Sequence, residues 1–157
     1  MSTDYEANLQ ALGYTLNPID LVSGRFVRAV RTGNLIYTAG AGPIFGGQEI
    51  KGLVGGDLTI EQGYAAARLA TLSALAAVKT LAGSLNEVVQ VVKVLGMVNV
   101  APGFNRTPEV IHGCSDLLLA VFGEAGRHAR TAVGMVLPFN YAAEIELIVE
   151  VRPPREA

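Results

Sequence analysis

The chain is short of cysteine, of charge and of any long uninterrupted apolar run. Its single cysteine, Cys114, excludes an intrachain disulfide and makes a reducing compartment the simpler setting. Only 17% of the 157 residues are charged, 12 Lys plus Arg against 14 Asp plus Glu, for a formal charge of -2. No basic run of the kind that neutralises phosphates is present, so nucleic-acid binding receives no support from composition. The first ten residues carry Asp4 and Glu6 and lack the apolar segment of a secretory signal. The Ala/Leu-rich stretch from Tyr64 to Val78 contains Arg68 and is too short to span a bilayer. His112 and Cys114 form an H-x-C with His128 downstream, but no second ligand pair at fixed spacing completes a four-ligand zinc set. No metal, cofactor or membrane is expected, and the chain reads as one soluble, cytoplasmic domain.

What is present is a hydrophobic half, which suffices for a sizeable core, and eighteen glycines that punctuate the rest. Tyr5, Leu9 and Leu12 fall at helical spacing in a short N-terminal helix over Thr3–Leu12, closed by Gly13. Residues 1–23 are thus a helical extension to a core over 24–152. Phe26–Arg31 and Leu35–Thr38 are β-rich and joined through Gly33-Asn34, which predicts a hairpin. From 41 to 58 glycines are dense and no period persists, so this reads as a long loop. Thr59-Ile60-Glu61-Gln62 matches a capping box and starts a helix running to about Ala82, with Gly83 as its stop. Val88–Val100 is a β-branched strand. Thr107-Pro108-Glu109 opens a second helix whose apolar stripe is Val110, Cys114, Leu117, Leu118, Val121 and Phe122. Two strands follow, Arg130–Leu137 and Ala143–Val151. The order predicts an α+β fold, a sheet with two main helices on one face.

Strand parity adds detail. Ala143, Ile145, Leu147, Val149 and Val151 share one face of the last strand, leaving Glu144, Glu146, Ile148 and Glu150 on the other. Arg130 shares its face with Ala132, Gly134 and Val136. In 88–100, Val92, Val94 and Val98 fall on one face and Val89, Val91, Leu95 and Met97 on the other, so both are apolar. A sheet with helices on one side should leave its second face polar. A second face that mixes apolar, small and charged groups suits a subunit interface with polar sites set into it, and an oligomer is expected.

Few polar residues sit where chemistry needs them. Arg130 opens a strand among small neighbours and offers a planar fork for a carboxylate; the alternative is a partner for a strand glutamate. Glu144 and Glu146 are either a solvated or ion-paired face, or carboxylates able to orient a water. Cys114 reads as an apolar filler of its helix stripe. His128 lines the Arg130 pocket or is a loop histidine. Thr38-Ala39-Gly40-Ala41-Gly42-Pro43 follows a strand without forming a dinucleotide or Walker motif.

Together, Gly33-Asn34-Leu35-Ile36-Tyr37-Thr38-Ala39-Gly40, the Ala-rich helix, the Val88–Val100 strand, His128-Ala129-Arg130 and Leu137-Pro138 followed by Glu144-Ile145-Glu146 resemble the RidA/YjgF family from about Gly24 to Val151. Its members include reactive imine and enamine deaminases, often labelled "endoribonuclease L-PSP". The resemblance is to a divergent subgroup. It implies a chorismate-mutase-like α+β fold that trimerises through the sheet face opposite the helices, with clefts between subunits. It further implies that Arg130 grips a substrate carboxylate, that Glu144 directs a water at an imine carbon, and that Gly40 lines the cleft. Phe26 stands where the family has a cleft tyrosine, Ala39 where it has a serine, His128 where it has a proline and Ala132 where many members have a cysteine; Ser115 is the nearest counterpart of a helix asparagine. The expected activity is hydrolysis of small 2-imino or enamine acids to 2-keto acids and ammonia. The alternatives are a non-catalytic protein that binds small carboxylates and, more remotely, an endoribonuclease.

Overall fold

The computed structural model describes residues 3–156. Its elements are α1 (Tyr5–Ala11), β1 (Val22–Ser23), β2 (Phe26–Val27), β3 (Ala29–Thr32), β4 (Leu35–Thr38), β5 (Ile44–Phe45), β6 (Gln48–Glu49), α2 (Ile60–Ala82), β7 (Val88–Asn99), α3 (Thr107–Phe122), β8 (Ala129–Met135) and β9 (Ala143–Val151). Five strands form one mixed sheet in the order β3-β4-β9-β7-β8. All its pairs are antiparallel except β7–β8, which are parallel and joined through α3. The β3–β4 hairpin turns through Gly33 and Asn34, with Gly33 at φ 57°, the left-handed value required at the first central position. The architecture is the expected α+β one, with α2 and α3 packed on a single face of the sheet.

The helices start and stop where their sequences dictate. Thr59 Oγ1 accepts from the Gln62 amide and the Gln62 side chain accepts from the Thr59 amide, so the capping box over α2 is complete. Gly83 closes α2 by donating its N–H to the Lys79 carbonyl. By length and composition α2 is long and apolar enough to cross a membrane, but 61% of its most apolar window is buried within the fold, as in a core helix. The helix runs from the capping box to Ala82 as expected, and burial rather than length decides its place. Ala66, Ala67, Ala70, Leu72 and Ala77 lie against the sheet and α3 with almost no exposure. Alpha-helix α3 buries the whole expected stripe plus Ile111. The two helices come very close at Gly113, where a Cβ would overlap the Tyr64 main-chain carbonyl.

Parity in β9 is as expected: Ala143, Ile145, Leu147, Val149 and Val151 are buried and the residues between them half-buried. Parity in β7 is not. Two register shifts, between Val88 and Gln90 and between Val91 and Lys93, insert extra residues opposite β9. Val88, Val91, Val94 and Val98 consequently share the core face, and Val92 is turned out to 38% exposure. The 41–58 stretch also departs from a plain loop. Ile44-Phe45 and Gln48-Glu49 form a tight hairpin through Gly46 and Gly47, both at positive φ. Bridges from Ala41 to Ile145 and from Lys51 to Tyr141 stitch the segment to the start of β9.

The N-terminal extension is docked. Asp4 caps α1 by accepting from the Ala7 amide, Tyr5 meets Phe122 of α3 edge-on at 4.9 Å, and Glu6 accepts from Lys79 Nζ at 3.0 Å and the Leu85 amide at 2.8 Å. Among the described residues, the opposite sheet face carries no helix. Val30, Tyr37, Val133 and Met135 stand out from it at 52%, 43%, 36% and 38% exposure, around the half-buried Glu144, Glu146 and Ile148.

Candidate functional site

The sheet places Arg130 and Glu144 on opposite sides. In the β7–β8 pairing Arg130 lies beside Val94, whose other neighbour is Leu147 of the core face. Glu144 lies beside Met97, on the row that includes Val133. Partners across a ladder share a face, so the arginine is on the helix side and the glutamate on the bare side. The sequence-derived residues therefore fall into two groups within one chain.

The first group sits where the edge strand β8 meets α3. His112 and Ser115, three residues apart, share one face of the helix. Arg130 Nη1 donates to His112 Nδ1 at 3.0 Å and to Ser115 Oγ at 3.2 Å. Ser115 Oγ is 2.9 Å from His128 Nε2, and His128 Nδ1 is 2.6 Å from the Gly126 carbonyl oxygen. These contacts fix both tautomers. A carbonyl only accepts, so His128 carries its proton on Nδ1 and offers Nε2 to the serine hydroxyl; a guanidinium only donates, so His112 Nδ1 is unprotonated. No carboxylate lies within ion-pair distance of Arg130 among the described residues, and its Nε and Nη2 have no hydrogen-bond partner there. Arg130 is thus not the partner of a strand glutamate. Its free edge opens into a recess of about 340 Å³ lined also by His112, Ser115, Asp116, Arg127 and His128. Asp116 accepts from Tyr64 Oη at 2.8 Å and Arg127 is paired to Glu124 at 3.1 Å.

The second group surrounds Gly40. Phe26, Ala39 and Gly40 line a small recess of about 40 Å³ against Ser73, Ala74 and Ala77 of α2. Glu144 is not a wall of it and meets the group through Gly40: a Cβ there would sit 2.8 Å from the Glu144 carboxyl carbon and Oε2. The glycine is what lets the carboxylate lie against the main chain. Burial, and secondarily the neighbouring Glu146, push the Glu144 pKa above the ordinary carboxylate value of 4.5. Ahead of β9, the buried side-chain amide of Asn99 accepts from the Leu137 amide and donates to the Gly52 carbonyl and Asn140 Oδ1, tying together the turn that feeds the strand.

Cys114 occupies neither group. It is fully buried on the core side of α3 and desolvation pushes its thiol up to about 12, which leaves it inert at neutral pH. No three His, Cys, Asp or Glu side chains converge as a metal site among the described residues. Sequence reasoning left two parts of the Arg130 cluster without a role, His112 and the Gly126 carbonyl. The i, i+3 spacing of His112 and Ser115 was an available signal for the first; nothing local in the sequence marks the second.

Comparison with known proteins agrees with this architecture. The profile of the family described as "YjgF/chorismate_mutase-like, putative endoribonuclease" matches residues 6–151. Protein TCP17 of Trypanosoma cruzi is 39% identical over 148 residues, 92% of each chain. The crystal structure of Atu1372 from Agrobacterium tumefaciens superposes with a TM-score of 0.85 at 41% identity, covering 94% of this chain and 92% of that one. A "putative endoribonuclease" from Shewanella oneidensis MR-1 gives 0.87 at 36%, covering 94% and 99%. With most of its length matched by the family profile and by relatives well above 30% identity, the chain belongs to the YjgF/RidA family of chorismate-mutase-like proteins.

Proposed function

We propose that the protein is a hydrolytic deaminase of small reactive 2-imino or enamine acids, working in clefts between the subunits of a homotrimer. The observation that carries the reading is the guanidinium of Arg130, held by Ser115 and His112 with its remaining edge free and no counter-carboxylate among the described residues. Such an edge binds a substrate carboxylate through two charge-assisted bonds. Because Glu144 faces the other way, one cleft takes Arg130 from one copy and Glu144 from the next. The bare sheet face, with Val30, Tyr37, Val133 and Met135 exposed around Glu144, supplies the surface for that assembly.

The chemistry asks for little. Water adds to the electrophilic imine carbon as Glu144 takes its proton and passes it to the nitrogen; Glu144 then moves the carbinolamine hydroxyl proton to that nitrogen as the C–N bond breaks, releasing ammonia and a 2-keto acid. A carboxylate whose pKa is raised is a stronger base than an ordinary one, and fixing the substrate beside it supplies much of the remaining rate. Phe26 and Ala39 bring no hydroxyl to the cleft, which favours, as a second reading, a protein that binds small carboxylates without turning them over. The endoribonuclease name borne by relatives has less support here, since the chain carries a net charge of -2 and Arg127 is already paired to Glu124.

The test is to generate 2-iminopropanoate and 2-iminobutanoate in situ with an amino-acid oxidase and trap free imine with semicarbazide. The wild type suppresses trapping and Arg130→Ala does not. Turnover by that variant at the wild-type rate refutes the assignment. Saturable keto-acid binding without any faster hydrolysis moves it to the binding reading.

A further inference from the structure

We infer that Ser115 and His128 form a nucleophile–base pair, giving the α3–β8 recess a second activity: acyl transfer from short esters that carry a negative charge. The inference does not rest on the deaminase reading, because every residue it uses lies in one chain.

The first argument is where the serine hydroxyl goes. Hydroxyls inside helices commonly bond back to the carbonyl four residues earlier, as Thr71 does to Ala67 and Thr80 to Ala76 in α2, each at 2.7 Å. Ser115, in the middle of α3, does not. Its Oγ is turned off the helix to His128 Nε2 at 2.9 Å. The second argument is the histidine. Its Nδ1 is anchored on the Gly126 carbonyl at 2.6 Å, which fixes the tautomer with a basic Nε2 aimed at the serine. Nucleophile, base and a group orienting the base are the three parts of an activated serine. The third is Arg130, whose Nη1 lies 3.2 Å from Oγ. A fixed positive charge beside Oγ favours its alkoxide character.

The recess selects the substrate class. It is open and about 340 Å³, room for a small molecule; Arg127 is paired to Glu124 and Asp116 is engaged by Tyr64, so the uncompensated charge on its wall is the free edge of Arg130. Small, negatively charged acyl donors fit this wall best. In the reaction Oγ bonds to the ester carbonyl carbon while His128 Nε2 takes the hydroxyl proton. The carbon–alkoxide bond then breaks and His128 returns that proton to the leaving alcohol. Water, activated by the same nitrogen, hydrolyses the acyl-serine to a carboxylic acid and restores Ser115.

The test treats the folded protein with a biotinylated alkyl fluorophosphonate, in which Oγ displaces fluoride from phosphorus, and locates the adduct by peptide mass spectrometry. The expected result is one adduct, on Ser115, absent in Ser115→Ala and in heat-unfolded protein, and formed 100-fold or more slowly in His128→Gln, about the scale of general-base assistance. Circular dichroism of both variants checks that α3 is intact. Hydrolysis of p-nitrophenyl hemisuccinate should exceed that of p-nitrophenyl acetate and should vanish with Ser115→Ala. No adduct on Ser115, or an adduct whose rate ignores His128, overturns the inference whatever the outcome of the imine assay. Equal rates on the two esters overturn its charge preference.

Discussion

Gly113→Ala sets two effects of known sign against each other. Alanine is the better helix former, by about 1 kcal/mol in a helix interior. On that ground alone the substitution should stabilise α3. The contact at this position decides otherwise. The added methyl would overlap the main-chain carbonyl of Tyr64, and its Cβ would also crowd the Tyr64 Cα at 3.2 Å. Main chain lies on both sides of the clash, so no rotamer change relieves it and α2 must move away from α3. Overpacking of this kind costs about 1–3 kcal/mol, and the rigid setting places it at the upper end. The separation also loosens Val110, Ile111 and Leu117, which are fully buried near the crossing. After the propensity gain, a net loss of about 2 kcal/mol remains. For a chain of this length that corresponds to a melting point lower by roughly 4–8 °C. Urea unfolding followed by circular dichroism reads it as a lower midpoint at unchanged slope. A Gly113→Ala protein as stable as the wild type would show that the helices have slack at their crossing, and the close-approach argument would fall.

Three further predictions follow from other parts of the fold. Gly40→Ala meets only the movable carboxylate end of Glu144, at 2.8 Å, so it should change stability by less than about 1 kcal/mol while lowering imine turnover through kcat; a stability loss with unchanged kcat contradicts the positioning role. Val91→Asp should unfold or severely destabilise the protein, by about 3 kcal/mol or more, whereas Val92→Asp should be tolerated; the reverse order in a urea series would place the β7 bulges wrongly. Glu144 has a folded pKa above its ordinary 4.5, so the folded state holds this proton more tightly than the unfolded chain and stability falls as pH rises through that window. Glu144→Gln should therefore gain on the wild type as the pH rises above the ordinary carboxylate value of 4.5 and show no pH-dependent gain below it; urea midpoints that diverge only below that value contradict the burial of the carboxylate.

Periodic signals made parts of this fold legible in the sequence and left others dark. Alternation over Ala143–Val151 assigns every side chain correctly because β9 is a central strand with one helix-covered face and no irregularity. The same logic fails over Val88–Asn99, where valines stand at both parities and a bulge leaves no trace in residue type. The hairpin at Gly46-Gly47 escaped because two-residue strands are too short to show a period. At the site, the grouping of Arg130 with Ala132 and Gly134 was readable. The side of the sheet they face was not, because it is set by the parallel register with β7, a contact between segments far apart in sequence. That register is also what separates Arg130 from Glu144.

The separation has an evolutionary consequence. In the assembly proposed above, the half-cleft built on α3 and β8 and the half-cleft built on Gly40 and β9 are supported by different elements, so either can drift without disturbing the other inside its own chain. A duplicated gene could lose Arg130 in one copy and Glu144 in the other, and mixed trimers would still present a complete cleft wherever the surviving arginine met the surviving glutamate. Selection then acts on which chains meet as much as on what each chain encodes.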